Sequence, residues 1–186
     1  MSTSRQNIFL IGPMGSGKTT IGKHLARKFG LDFIDCDHEL ERLTGASVNL
    51  IFDLEGESGF RTREKQLLES LTEKRGVLIA TGGGVICDPD NRRLLRSRGF
   101  VVYLKTSVGN QLKRLSHDKS RPLLQAADRE QRLRRLARER NPLYAETADL
   151  VFSTRNSSVH ATARALASAI ARQQDPFNKE KPHAVS

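Results

Sequence analysis

Hydrophobic residues fall along this chain in short unbroken runs, separated by longer stretches with helical spacing. Five runs read as strands: residues 7–11, 32–37, 77–81, 100–104 and 149–153. Continuous apolar runs, rather than alternating ones, fit strands covered on both faces, as in a parallel sheet. The second run is short and ends in acids, while Phe100-Val101-Val102-Tyr103-Leu104 is the richest in β-branched and aromatic residues. Between the runs, residues 63–71 and 159–167 carry helical patterns. Strands alternating with helices predict a three-layer α/β/α domain. There is no internal repeat. The polar stretch from Gln173 to Ser186 holds Pro176 and Pro182 and predicts a disordered tail behind a single domain spanning residues 1–172.

Between the first strand and the first helix stands Gly12-Pro13-Met14-Gly15-Ser16-Gly17-Lys18-Thr19, a full match to G-x-x-x-x-G-K-[ST]. The glycines let backbone N–H groups wrap an anion, and Lys18 reaches the outer phosphates. The Thr19 hydroxyl is placed to ligate Mg²⁺. Strand, glycine loop and helix also aim a helix N-terminus at a phosphate. The pattern predicts a nucleoside triphosphate site formed by Gly15, Ser16, Gly17, Lys18, Thr19 and Thr20.

At 186 residues the chain suits one domain with a real core. No apolar run approaches the roughly 18 residues that cross a bilayer, and no signal-like segment opens the sequence. Cys36 and Cys87 are the only cysteines and do not form a C-x-x-C pair. Reduced thiols and a cytoplasmic location are expected. The net charge of +10 sits largely in Arg92–Arg98 and Arg129–Arg140. Nucleic-acid binding is one reading of that charge. Against it, the chain has no Trp, two Tyr and no basic patch interleaved with aromatics for stacking bases. The first run reads as a solvated helix face, and the second supplies candidates for the site.

The remaining signals concern the phosphoryl acceptor. Asp35 and Asp37 sit at the carboxyl end of the second strand, where open α/β sheets bind ligands. On an extended segment their side chains would point the same way, one serving a metal and the other a substrate hydroxyl; as an alternative, they cap the helix that follows. Gly82-Gly83-Gly84 directly after the third strand would let a substrate press against bare backbone, or would make a plain flexible turn. That strand lacks a terminal Asp, which leaves Thr19 and Asp35 as the candidates to hold Mg²⁺. Arg61 follows a glycine-broken segment, and Arg140 ends a helix at Pro142. Across a pocket the two arginines could clamp a carboxylate with bidentate geometry.

The ordered set of the glycine loop, Asp35-x-Asp37, Gly59-Phe60-Arg61, Gly82-Gly83-Gly84, Arg121-Pro122-Leu123-Leu124 and Arg140-Asn141-Pro142-Leu143-Tyr144 resembles the shikimate kinase family over residues 7 to 170. The resemblance implies a P-loop kinase fold like that of nucleoside monophosphate kinases, with five parallel strands in the order 2-3-1-4-5. It implies ATP-dependent phosphorylation of the 3-hydroxyl of shikimate, toward chorismate and the aromatic amino acids. Asp37 would hold the reacting hydroxyl, and Arg61 and Arg140 would grip the carboxylate. Gly82, Gly83 and Gly84 would contact substrate, and Phe52 and Phe60 would wall the pocket. Arg121, on a lid near residues 116–127, would fold over the phosphates, and Arg114 would stack on adenine. Where many members place Gln or Arg near adenine, this chain reads Arg155-Asn156-Ser157-Ser158. A monomer acting on small molecules, without nucleic acid or membrane, is expected. The competing readings are a gluconate or nucleoside monophosphate kinase on the same scaffold and a P-loop nucleic-acid-binding regulatory protein.

Overall fold

A computed structural model describes residues 6–116, 128–154 and 158–174. Its strands are β1 (Ile8–Ile11), β2 (Asp32–Asp35), β3 (Val77–Ala80), β4 (Phe100–Lys105) and β5 (Leu150–Ser153). They form one parallel sheet in the order β2-β3-β1-β4-β5, as the sequence led us to expect. The helices are α1 (Lys18–Phe29), α2 (Cys36–Thr44), α3 (Val48–Thr72), α4 (Pro89–Arg98), α5 (Val108–Arg114), α6 (Arg129–Thr147) and α7 (Val159–Gln174).

Because successive residues of a strand face opposite ways, β1 to β4 feed two cores, whereas β5 feeds one. Ile8, Leu10, Leu78, Val102 and Leu104 pack with Leu25 of α1 and Leu166 of α7. Phe9, Ile11, Ile79, Val101 and Tyr103 pack with Leu68 of α3, Leu95 of α4 and Tyr144 of α6. This two-sided burial explains why β1, β3 and residues 100–104 of β4 are apolar throughout, while the edge strands β2 and β5 keep polar or exposed positions.

Four boundaries differ from the sequence reading. The acidic second run stops at Asp35, which caps α2 by accepting from the amides of Asp37 and His38; Cys36 and Asp37 are already helical. The capping alternative is therefore realised, and the extended geometry is not. Pro142 does not end its helix, and α6 runs on to Thr147. The carbonyl that proline leaves unpaired belongs to exposed Arg138, where water can satisfy it. Gln173 and Gln174, assigned to the tail, extend α7. Finally, Gly56 interrupts α3 with φ 69° and ψ −175°, so residues 48–55 and 57–72 are two helical pieces joined at a kink.

The arginines of α4 are more than a solvated face. Arg92 donates to the carbonyls of Ile86 (2.8 Å) and Cys87 (3.2 Å), and Arg98 to the carbonyl of Glu69 and the Thr72 hydroxyl. On α6, Arg132 and Arg134 pair with Asp128 and Glu130, neutralising part of the basic run.

Candidate active site

The carboxyl ends of β1, β2 and β3 open onto a cleft of about 440 Å³. Gly15, Gly17, Lys18, Thr19 and Thr20 line one side, Asp35, Asp37, His38 and Glu41 another, and Thr81, Gly82 and Gly83 the floor.

The phosphate side is built by the backbone. Gly12, Gly15 and Gly17 all take positive φ, and Gly17 is the N-cap of α1. Ser16 is fully buried within the loop. Lys18 curls back, its ammonium donating to the carbonyls of Gly12 (2.7 Å) and Pro13 (3.0 Å). Arg114 donates to the carbonyl of Gly15 at 3.0 Å and lies 3.5 Å from the Thr154 hydroxyl, at the rim next to β5.

One carboxylate ties this side to α2. Asp35 Oδ2 accepts from the Thr19 hydroxyl at 2.5 Å, while its Oδ1 receives the two capping amides. Asp37, one helical position further in, faces the cleft. Cys36 lies between them but is buried; burial and the adjacent Asp37 push its thiol well up, so it stays protonated. Glu41 fixes the next connection by accepting from the Val48 amide at 3.0 Å.

The acceptor side is assembled from distant side chains. The Arg61 guanidinium donates to Glu64 (2.7 Å) and to Glu57 (3.3 Å), and lies 5.2 Å from the Phe60 ring centroid. A guanidinium carries five N–H donors, so these two carboxylates leave capacity for a third acceptor. Glu64 is only 5 % exposed. Burial pushes its carboxyl above the ordinary range; Arg61 draws it back, Asp37 raises it further, and Arg140 lowers it. Arg61 pairs with Glu64, and Asp37 Oδ1 lies on the same side of Gly82 as Glu64 Oε1, 3.5 and 2.5 Å from where a Cβ on Gly82 would stand; Arg140 acts on this acid through its charge.

The glycines are needed for a different reason than the sequence indicated. A Cβ at Gly82 would stand 2.5 Å from Glu64 Oε1, and one at Gly84 would stand 2.2 Å from the Arg61 guanidinium. Thus the ion pair itself occupies the space beside Gly82 and Gly84. Gly82 and Gly83 border the cleft, whereas Gly84 does not line it. Phe52 and Phe60 stack at 4.4 Å and 27° behind Arg61, away from the cleft lining.

Arg121, residues 117–127 of the expected lid and Arg155 lie outside the described residues. Glu64, Glu57, Glu41, His38 and Tyr144 were not singled out from the sequence. The available signals were weak: Glu64 stands three residues after Arg61, and Tyr144 four after Arg140, each one helical turn along.

A shikimate kinase family model matches residues 14–171. A shikimate kinase of Alteromonas mediterranea is 53% identical over 166 residues, covering 89% of this chain and 97% of that protein. One from Stenotrophomonas maltophilia is 55% identical over 148 residues, 80% of this chain and 82% of the relative. Among solved structures, the shikimate kinase of Acinetobacter baumannii in complex with shikimate superposes with a TM-score of 0.89 at 48% identity, covering 91% of this chain and 95% of that one. A deoxyadenosine kinase of M. mycoides (TM-score 0.57, 14% identity, 89% and 99% covered) shares the fold alone. The chain belongs to the shikimate kinase family.

Proposed function

We propose that this enzyme transfers the terminal phosphoryl group of ATP to the 3-hydroxyl of shikimate, releasing ADP and shikimate 3-phosphate. The observation that carries this reading is the Arg61–Glu64 pair packed with Asp37 against Gly82, which borders a cleft that also holds the phosphate-binding loop. An acceptor with one carboxylate and a nearby reactive hydroxyl suits that arrangement. The relative from Acinetobacter baumannii was solved with shikimate bound.

In this reading Arg61 and Arg140 hold the acceptor carboxylate, and Asp37 accepts a hydrogen bond from the reacting hydroxyl. The hydroxyl oxygen forms a bond to the terminal phosphorus as the bond to the ADP oxygen breaks. The hydroxyl proton passes along its hydrogen bond to the Asp37 carboxylate and from there to water, so ester, ADP and one proton are the products. Such transfer needs positioning and positive charge more than covalent help from the protein. Lys18 brings that charge to the phosphates; Arg121 is proposed for the same task from family likeness alone. Gly15, Ser16, Gly17 and Thr20 cradle the nucleotide, and Arg114 covers the adenine end.

Thr19 and Asp35 suit a magnesium ion by chemistry, as adjacent hard oxygens on the cleft wall, the Thr19 hydroxyl being oriented by its bond to Asp35. Bound with ATP, that ion would neutralise charge on the phosphates. No group of three or more His, Cys, Asp or Glu side chains able to hold a metal occurs among the described residues. Magnesium commonly relies on one or two protein ligands and substrate phosphates.

We further infer a cytoplasmic monomer with small-molecule partners only, without nucleic acid or membrane. Among the described residues no helix is long and apolar enough to cross a membrane. The test is ADP release from Mg-ATP with shikimate, gluconate, AMP or CMP. Stimulation by shikimate alone supports the assignment, and stimulation by another acceptor overturns it.

A further inference from the structure

Tyr144 is the fully buried aromatic on the cleft-side stretch of α6, and the reaction outlined above gives it no part. Its surroundings are specific. The phenol hydroxyl donates to the Gly83 carbonyl, which belongs to the floor of the cleft. The Arg140 guanidinium, one turn earlier on α6, lines the same small cavity as Tyr144, and its positive charge acts on the phenol. Burial pushes the phenol upward, so it remains protonated and keeps its donor proton at any physiological pH.

The ring is held as firmly as the hydroxyl. It stacks on Tyr103 of β4 at 5.0 Å and 26°. The Tyr103 hydroxyl in turn donates to Asn141 Oδ1 at 3.1 Å, on the turn of α6 between Arg140 and Tyr144. A central strand therefore fixes the ring plane, and the ring plane fixes where the phenol oxygen sits. Gly83 is held from its other side too: a Cβ there would stand 3.6 Å from the Gly12 carbonyl oxygen and from the Met14 amide nitrogen. The segment Tyr144 grips is thus wedged between the phosphate loop and α6.

We propose that Tyr144 is a positioning residue for the acceptor: its hydroxyl pins the Gly83 backbone beside the stretch of α6 that carries Arg140. This rests on the reading of Arg140 as an acceptor-binding residue. A phenol is suited to the task because its hydroxyl can donate to a carbonyl from the end of a rigid ring. Phenylalanine would keep the stack and the volume but leave the Gly83 carbonyl without that donor.

The experiment compares Tyr144→Phe with Tyr103→Phe, which cuts the Tyr103–Asn141 bond in the same stack without touching Gly83 or Arg140. KM and kcat are measured for shikimate and for ATP, with melting temperatures for all three proteins. Tyr144→Phe is expected to raise the shikimate KM about fivefold, as loss of one buried hydrogen bond implies. The ATP KM should stay within about twofold, and Tyr103→Phe should leave both KM values within the same margin while also lowering the melting temperature. An unchanged shikimate KM in Tyr144→Phe overturns the proposal. So does an equal rise for both substrates, or the same rise in Tyr103→Phe, because each marks general loosening of the core. If the parent protein does not phosphorylate shikimate, the functional reading falls first and takes this inference with it.

Discussion

The two sides of the cleft are made by different means. The phosphate side is a contiguous segment in which backbone carbonyls and amides hold the geometry, and even Lys18 is anchored on the carbonyls of Gly12 and Pro13. The proposed acceptor side draws Asp37 from α2 and Gly82 and Gly83 from the end of β3 as cleft lining, backed by the Arg61–Glu64 pair of α3, with Arg140 of α6 in a neighbouring cavity. Side-chain charge holds it together, around one buried carboxylate. The lesson is that the common chemistry sits on rigid local backbone, while the discriminating chemistry depends on long-range packing. The first should tolerate changes elsewhere in the molecule, and the second should register them.

Removing the Lys18 ammonium tests the phosphate side most severely. Lys18→Ala should lower turnover by a factor on the order of 10² to 10³, while the fold, read by circular dichroism, stays intact. Residual turnover near the parent's would mean that the loop does not need its cation.

A smaller effect is expected from either arginine. Arg61→Ala and Arg140→Ala should each raise the shikimate KM by about 10- to 100-fold, the worth of a charge-assisted contact, with the ATP KM nearly unchanged. They should differ in stability. Arg61→Ala strands Glu64 as an unpaired buried acid and should lower the melting temperature more than Arg140→Ala does. Equal losses of stability would show that Glu64 does not depend on Arg61.

Glu64 offers the mildest test, read as a slope against pH. Burial holds its folded-state carboxyl above the unfolded value, despite the pull of Arg61. The stability this group contributes is therefore complete below the ordinary value of 4.5, and is lost as pH rises through the raised one. Glutamine cannot titrate. The unfolding free energy of Glu64→Gln relative to the parent should thus move in the variant's favour from pH 4.5 toward neutrality. Parallel urea-unfolding curves across that range would place the Glu64 carboxyl at its ordinary value.

This division also governs what could be read from the chain. The strands, their order by family resemblance and the whole phosphate loop were legible, because each is encoded in consecutive residues. Asp37, Arg61 and Arg140 were visible as motif members. Glu64 was not: in Arg63-Glu64-Lys65 it looks like one more polar position on a helix surface, and only the approach of Gly82 buries it. Tyr144 was hidden inside a quoted motif, since its bond to Gly83 spans 61 positions. Pro142 misled because proline breaks helices on average, whereas here the carbonyl it orphans is on an exposed residue.

Asp35 has a bearing on how the family can vary. Its two oxygens serve separate masters, one the cap of α2 and the other the Thr19 hydroxyl. A cap alone could be replaced by serine, threonine or asparagine with little loss. None of those keeps a second anionic oxygen for Thr19. If Asp35 serves magnesium as proposed, substitutions at this position face two independent filters, and a variant that passes the folding filter can still fail the catalytic one. In a mutational survey, position 35 should look intolerant in growth assays while appearing permissive in assays of expression alone.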